Sequence, residues 1–319
     1  MKNSYSNIFS FNKKILNKTI KVLSKRSLVS LPTETVYGLA ANAYSKEAVK
    51  KIFKLKRRPK LNPLIMHYYD IKQILNDVVI NNNFKKLYKK LCPGPITFIL
   101  KKNKNSKINP MACAKLKTVA IRFPKHKIAR AILKNVNYPL AMPSANVSSN
   151  VSPVNARDVY EEFKNKIEII IDGGQSIVGI ESTVVDLTNN PTILRPGIIS
   201  SLHIEKILKL KIKKYRNNFK FKSPGMLKKH YSPGIPVLIN QEKPDKKSAF
   251  VYLGNKYKKD KKKFSLSKNS NLNEAASNLY KTFRLIKKQG FKKIQIAKIP
   301  LRGTGIAIND RIKRAAKIK

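Results

Sequence analysis

Acidic residues are what this sequence has least of: 17 Asp and Glu stand against 68 Lys and Arg, a formal net charge of +51. So large a surplus invites a nucleic-acid or acidic-membrane partner, through counterion release and steering. Lys, Asn and Ile nevertheless recur in every segment, ordinary helical patterns included. We therefore read the excess first as chain-wide composition, because a nucleic-acid footprint clusters on one face. Cysteine is as scarce. Cys92 and Cys113 stand alone without CxxC spacing, and His67, His126, His203 and His230 share no ligand spacing with them. A zinc site and a disulfide framework are thereby left without support. Long apolar runs are also missing. The basic, Asn-rich start MKNSYSNIFSFNKKILNKTIK has no uninterrupted apolar core, and no run of about 18 apolar residues follows. The expectation is a cytoplasmic protein with no membrane partner. Neither GxxxxGK[ST] nor GxGxxG occurs. Gly303-Thr304-Gly305 lacks a third Gly and reads as the opening of a helix over 306–316. No Ser-His-Asp or Cys-His pairing stands out for nucleophilic catalysis.

What is present is enough to fold. The chain has 319 residues, 42% hydrophobic and 8% aromatic, so two domains are the default. Helical periodicity covers 13–25, 46–55, 82–91, 127–134 and 155–165; strand-like runs cover 64–68, 97–100, 119–123, 167–171 and 182–187. This alternation predicts a mixed α/β domain, closing on a helix over 199–210 with Ser200 and Ser201 as candidate caps. From 211 to 235 the pattern dissolves into Lys, Asn, Ser, Pro and Gly, as in a linker. Within it, SPGMLKKHYSPG sets an aromatic and basic centre between two Ser-Pro-Gly turns, more than a plain tether needs. Strands at 236–239, 249–253 and 293–299 and a helix at 273–288 predict a smaller α/β domain. The expected units are thus a catalytic domain over 8–210, a linker or lid over 211–235, and a small domain over 236–319.

Chemistry gathers where strands end. Leu31-Pro32-Thr33-Glu34-Thr35-Val36-Tyr37-Gly38-Leu39 packs hydroxyls, a carboxylate and a phenol behind a short apolar strand that Pro32 should stop. Such loops at the carboxyl ends of strands are where open α/β sheets bind ligands, although the segment alone is equally an ordinary Ser/Thr turn. Lys56-Arg57-Arg58-Pro59-Lys60-Leu61-Asn62-Pro63 offers a basic grip suited to phosphate; in a chain this rich in Lys it also suits a solvated loop. Pro143-Ser144-Ala145-Asn146 ends a strand in hydroxyl and amide groups, a pattern shared with caps and Asx turns. Asp172-Gly173-Gly174 and Gly179-Ile180-Glu181-Ser182-Thr183 permit close backbone approach. Arg195-Pro196-Gly197 matters only in the company of these.

Taken together, LPTETVYGLAANA, the K-x-R of Lys56 and Arg58 followed by Asn62-Pro63-Leu64 and His67, PGPIT, TVAIR, the S-x-N of Ser144 and Asn146, DGG, ESTVVD and ILRPG resemble the threonylcarbamoyl-AMP synthase family, Sua5/YrdC/YwlC. The likeness runs from about residue 14 to residue 210 in the family's order and spacing. SPGMLKKHYSP and RGTGIAINDR extend it to the two-domain Sua5 type. Cys92, where an aromatic commonly precedes PGP, and the heavy Lys content depart from the pattern without removing a motif residue.

The resemblance implies a YrdC-like twisted mixed sheet with helices, then a linker and a small Rossmann-like Sua5 domain. It implies a nucleotidyltransferase that joins L-threonine, bicarbonate and ATP into threonylcarbamoyl-adenylate and pyrophosphate, for t6A modification of tRNAs reading ANN codons. A downstream t6A transferase complex would collect the adenylate, and the basic surface raises direct contact with tRNA. Mg2+ would be held mainly by the phosphates, with no dedicated metal site on the protein. Residue by residue, Thr35, His67, Arg122, Ser182 and the backbone at Met142 fall around threonine, with Arg122 on its carboxylate. Arg58, Asn62, Thr118, Ser144, Ser152 and Arg195 fall on the ATP side, Lys56 near the phosphates, and Asn146 supporting Ser144. Lys56 and Arg58 are the expected catalytic residues, and Tyr231 the expected lid. The competing reading is a non-catalytic basic module for double-stranded RNA or tRNA. A carbamoyl-transfer domain of the same fold would need carbamoyl phosphate and companion zinc-finger and acylphosphatase segments, which this sequence lacks.

Overall fold

A computed structural model describes residues 5–214, 230–245, 247–257 and 260–316. Helices begin where a side chain accepts from a free backbone N–H of the first turn. Asn12 caps α1 (Lys13–Ser24), Ser45 caps α2 (Lys46–Lys56), Asn81 caps α3 (Asn82–Leu91) and His126 caps α4 (Lys127–Lys134). Asn155 caps α5 (Ala156–Phe163), Ser200 caps α6 (Ser201–Leu208), and Asn271 caps the long α7 (Leu272–Lys288). The last helix is α8 (Gly305–Ala316), whose first residue must be small because an added Cβ would lie 2.0 Å from the Pro300 carbonyl oxygen.

The strands of the first unit are β1 (Ile8–Ser10), β2 (Val29–Leu31), β3 (Gly38–Asn42), β4 (Ile65–His67), β5 (Ile96–Lys101), β6 (Thr118–Arg122), β7 (Leu140–Ala141), β8 (Ile169–Asp172), β9 (Thr183–Asp186), β10 (Thr192–Arg195) and β11 (Lys213–Lys214). They form one 11-stranded sheet in the order β1-β8-β2-β3-β7-β4-β6-β5-β9-β10-β11. It is mixed: β4 runs parallel to β6 and β5 parallel to β9, while β5 and β6, and β9 and β10, are antiparallel. Pro32 follows the last residue of β2, as the sequence predicts.

Strand alternation divides this sheet between core and site. Leu64, Met66 and Tyr68 around β4, with Val119 and Ile121 of β6, point into the main core beneath α2, α3 and α6. The intervening Ile65 and Ala120 belong to a small cluster on the other face, with Ile99, Val184 and Leu194. His67 and Arg122 continue that second set and stand opposite each other in register. α1 and α4 cover the β2–β8 end of the sheet through Ile15, Val22, Leu23, Ile132 and Leu133.

The second unit is an all-parallel sheet in the order β12 (Val237–Leu238), β15 (Ile294–Ile296), β13 (Ala249–Tyr252), β14 (Lys263–Ser265), packed by α7 and α8. Its core does not stop at its own boundary: Val36, Val151, Val154 and Ile180 of the first unit are buried in the same cluster. Of the expected linker over 211–235, residues 215–229 lie outside the described residues; β11 extends the large sheet, and Tyr231 is buried in the second core. β1, β3 and β14 were not legible as strands. β3 reads Gly-Leu-Ala-Ala-Asn, a poor β-former, and owes its conformation to ladders with β2 and β7 on either side.

Candidate active site

Thr33, Val36, Gly38, Arg58, Ile65, His67, Arg122, Met142, Pro143, Ser144, Glu181, Arg195 and His230 enclose a cavity of about 50 Å3. A larger open groove of about 700 Å3 beside Lys51, Lys54 and Arg57 has no comparable convergence of buried polar groups. Arg58, Arg122 and Arg195 are all buried around the cavity, so a cationic site faces whatever enters. Buried charges of one sign persist only with partners, and each guanidinium has some.

Arg58 follows α2, where Arg57 takes a left-handed conformation and turns the chain. Its Nε donates to the Asn62 carbonyl at 2.9 Å, and its Nη2 donates to Asn62 Oδ1 at 2.6 Å and the Pro63 carbonyl at 2.8 Å. Burial, with Arg195 nearby, pushes its pKa down to about 9, so it stays charged at neutral pH. Arg195 donates from Nε to the Ser182 carbonyl at 3.0 Å and from Nη2 to Ser182 Oγ at 3.1 Å. Ser182 Oγ also meets Thr97 Oγ1 at 2.7 Å. A register shift in β10 between Ile193 and Arg195 aims Leu194 at one face and still delivers Arg195 to the cavity.

Arg122 donates from Nη2 to Glu34 Oε1 at 2.8 Å, and the backbone N–H of Lys125 donates to Glu34 Oε2 at 3.1 Å. Burial pushes the Glu34 carboxyl up, but the Arg122 charge and these hydrogen bonds outweigh it and hold the pKa below the ordinary value. Arg122 Nε has no hydrogen-bond partner among the described residues. Beside it, His67 Nδ1 lies 3.1 Å from the Ile65 carbonyl. Burial and the Arg122 charge push His67 down to about 3, so its ring is neutral. Gly38 lets Met142 pack directly over the strand: an added Cβ would lie 2.3 Å from Met142 Cγ and push that side chain aside.

The expected site residues divide accordingly. Arg58, His67, Arg122, Met142, Ser144 and Arg195 line the cavity. Asn62 and Ser182 stand behind it as the partners of Arg58 and Arg195. Lys56 is buried under the Ser144–Asn146 turn, its Nζ donating to the carbonyls of both residues; burial pushes its pKa well below that of ordinary lysine. Asn146 braces the same turn through Nδ2 to the carbonyls of Val147 and Asn150, at 2.7 and 2.9 Å. Thr35 is fully buried, with its Oγ1 2.9 Å from Thr33 Oγ1, and Ser152 donates to Glu181 Oε1 at 2.6 Å. Thr118 opens β6 opposite Lys101 and does not line the cavity.

Tyr231 is fully buried, its ring stacked on Tyr280 at 5.8 Å, beside His230 at 4.0 Å. Burial pushes His230 down to about 3. Sequence reasoning passed over Thr33, Glu34, Glu181 and His230 as individual wall or partner residues. Each sits inside a quoted motif, and the signals available were the carboxylates of Glu34 and Glu181, the imidazole of His230 beside Tyr231, and the hydroxyl of Thr33 just after Pro32.

Two family models cover the chain: one described as "Telomere recombination" matches residues 21–197, and one described as "Threonylcarbamoyl-AMP synthase, C-terminal domain" matches residues 199–317. The chain is 37% identical over 311 residues to the threonylcarbamoyl-AMP synthase of Pyrococcus abyssi, covering 91% of this chain and 90% of that one. It is 35% identical to the threonylcarbamoyl-AMP synthase of Bacillus subtilis, covering 92% and 91%. The crystal structure of P. abyssi Sua5 complexed with L-threonine matches with a TM-score of 0.89 at 33% identity, over 97% of both chains. With both of its units matched, in order and over nearly their full length, the chain belongs to the threonylcarbamoyl-AMP synthase family of the two-domain Sua5 type.

Proposed function

We propose that this chain is an enzyme that makes threonylcarbamoyl-adenylate from L-threonine, bicarbonate and ATP. The observation that carries the reading is the convergence of Arg58, Arg122 and Arg195 on one cavity, where the one lining carboxylate, Glu181, and the carboxylate behind Arg122, Glu34, are each already bound to an arginine. Such a site has positive charge to spare for a carboxylate and a polyphosphate. The threonine amine takes up bicarbonate to give a carbamate, and the bicarbonate oxygen leaves as water. A carbamate oxygen then attacks the α-phosphorus, the bond to the bridging oxygen breaks, and pyrophosphate leaves. No enzyme nucleophile is needed, so the protein's work is positioning and charge neutralisation.

Arg122 takes the threonine carboxylate, offering the Nε that has no other partner among the described residues. Neutral His67, Thr35, Ser182 and the backbone at Met142 complete that half. Arg58 and Arg195 hold ATP phosphates with Ser144, while Lys56 and Asn146 keep the Ser144 turn in shape; Asn62, Thr118 and Ser152 support the same side. Mg2+ carried by the phosphates would screen their charge.

Tyr231 serves as a lid. The cavity of about 50 Å3 is far below the roughly 300 Å3 at which small-molecule pockets begin, and His230, packed beside Tyr231, forms part of the wall that would open. A closed lid protects the carbamate and the mixed anhydride from water. Tyr231→Ala should weaken ATP binding by about tenfold, the loss of one well-packed aromatic contact, and unchanged nucleotide affinity by calorimetry would reduce the segment to a tether. The adenylate then passes to a transferase acting on tRNA, which the basic surface suits. The decisive assay is pyrophosphate release from ATP and Mg2+ with threonine and bicarbonate each omitted. Release that needs both supports the proposal; release indifferent to threonine would turn the reading toward RNA binding without chemistry.

A further inference from the structure

RGTGIAINDR stands out in the sequence, yet none of its residues has a part in the chemistry described above. Arg311, at its end, lies on α8 of the second unit and is completely buried. Its guanidinium spends every nitrogen on two segments of the first unit and on its own helix. Nε donates to Glu181 Oε2 at 2.9 Å, Nη2 to the Glu181 carbonyl at 3.4 Å, and Nη1 to the Pro196 carbonyl at 2.8 Å and to Asp310 Oδ2 at 2.9 Å. Glu181 and Pro196 are the sequence neighbours of Ser182 and Arg195, which are themselves hydrogen-bonded to each other. Arg311 therefore clamps both flanks of the Ser182–Arg195 pair. It also lies 5.2 Å from the centre of the Tyr231 ring, and Tyr280 of α7 donates to Glu181 at 3.0 Å. Glu181 and Arg195 line the cavity, whereas Arg311 does not.

Taking the adenylation reading as given, we infer that Arg311 is a positioning residue for the nucleotide half of the site, so that the second domain completes the active site through one side chain. Two physical points support this. Guanidinium donors held rigidly in one plane fix direction as well as distance, which a lysine cannot do. Neutralising Glu181 also matters to an anionic ligand, because an unpaired carboxylate on the cavity wall would repel a triphosphate beside Arg58 and Arg195. A pair that merely glued two domains together would have no reason to bracket Arg195.

The test uses the full chain and Arg311→Lys, with binding of a non-hydrolysable ATP analogue and of L-threonine measured separately by calorimetry, alongside thermal melting. The expected result is a cooperative melt, ATP-analogue binding weakened roughly tenfold, as for one charge-assisted hydrogen bond, and threonine binding, which Arg311 reaches only through Ser182, weakened by no more than about threefold. Unchanged analogue affinity in a folded variant overturns the proposal, and so does an equal loss for both ligands, which would mark a structural pair. If Arg311→Lys does not fold, Glu181→Gln/Arg311→Met, which leaves no buried ion unpaired, carries the same measurement with the same expected loss; failure of both to fold overturns it as well. Pyrophosphate release by the parent chain that does not depend on threonine would instead defeat the adenylation reading, and is read on a different sample.

Discussion

Two buried arginine–glutamate pairs border the same cavity and do different things. Arg122–Glu34 lies within the first unit and Arg311–Glu181 joins the two, at 2.8 and 2.9 Å. Glu34 accepts one guanidinium and one backbone N–H; Glu181 accepts from Ser152, Tyr280 and Arg311. Burial pushes Glu181 up, but Arg311 and Arg195 more than cancel it and hold its pKa at about 2. The arginines differ in what is left over. Arg122 keeps a buried Nε without a partner among the described residues, while every Arg311 nitrogen is engaged. A saturated arginine has no donor left to offer, whereas an arginine with a spare donor can still take a partner.

The largest expected effect comes from breaking the ligand-facing pair. Arg122→Ala strands Glu34 as a buried charge and should cost about 3–5 kcal/mol in urea unfolding. Adding Glu34→Gln should restore most of that stability without restoring threonine binding; recovery of both would leave Arg122 no part in holding the ligand. Acid sharpens the comparison next. The pKa of His67 is lowered from 6.5 to about 3, and so is that of His230, so below pH 6.5 the unfolded chain binds protons that the native state refuses. Their contribution is fully present above pH 6.5 and is lost as pH falls toward 3, by about 2 kcal/mol for each histidine at pH 5. Unfolding curves at pH 7 and pH 5 should register this, and His67→Gln and His230→Gln should each flatten the profile. Glu34 and Glu181 add a further loss only below their unfolded range, near pH 4. Smallest is Gly38→Ala, which meets the flexible Met142 side chain: about 1–3 kcal/mol of overpacking, with weaker threonine binding and ATP binding retained. Equal loss of both ligands would mean the Met142 wall is shared.

Much of the fold was legible. α3 and α4 occupy 82–91 and 127–134 as the helical period predicts, each opened by a side-chain cap. Strand ends carrying Thr33, Arg122, Ser144 and Arg195 do meet at one site. β3 escaped because its Gly and Ala are poor β-formers, and β1 because three residues carry no period: Ile8–Ser10 is a strand by pairing with β8, more than 150 residues later. The resemblance makes Lys56 a catalytic residue near the phosphates, and its two carbonyl partners, 88 and 90 residues away, hold its ammonium beneath the Ser144 turn.

The sequence by itself determined what is local: where helices start, where Pro32 stops a strand, which residues alternate toward a face, and the motifs that mark the family. Tertiary structure alone decided which charges meet. Glu34 and Arg122 are 88 residues apart, and Glu181 and Arg311 are 130 apart. Whether an arginine is saturated or free depends on burial and on donors and acceptors brought together across the sheet and the domain interface, and periodicity within a segment carries no record of these.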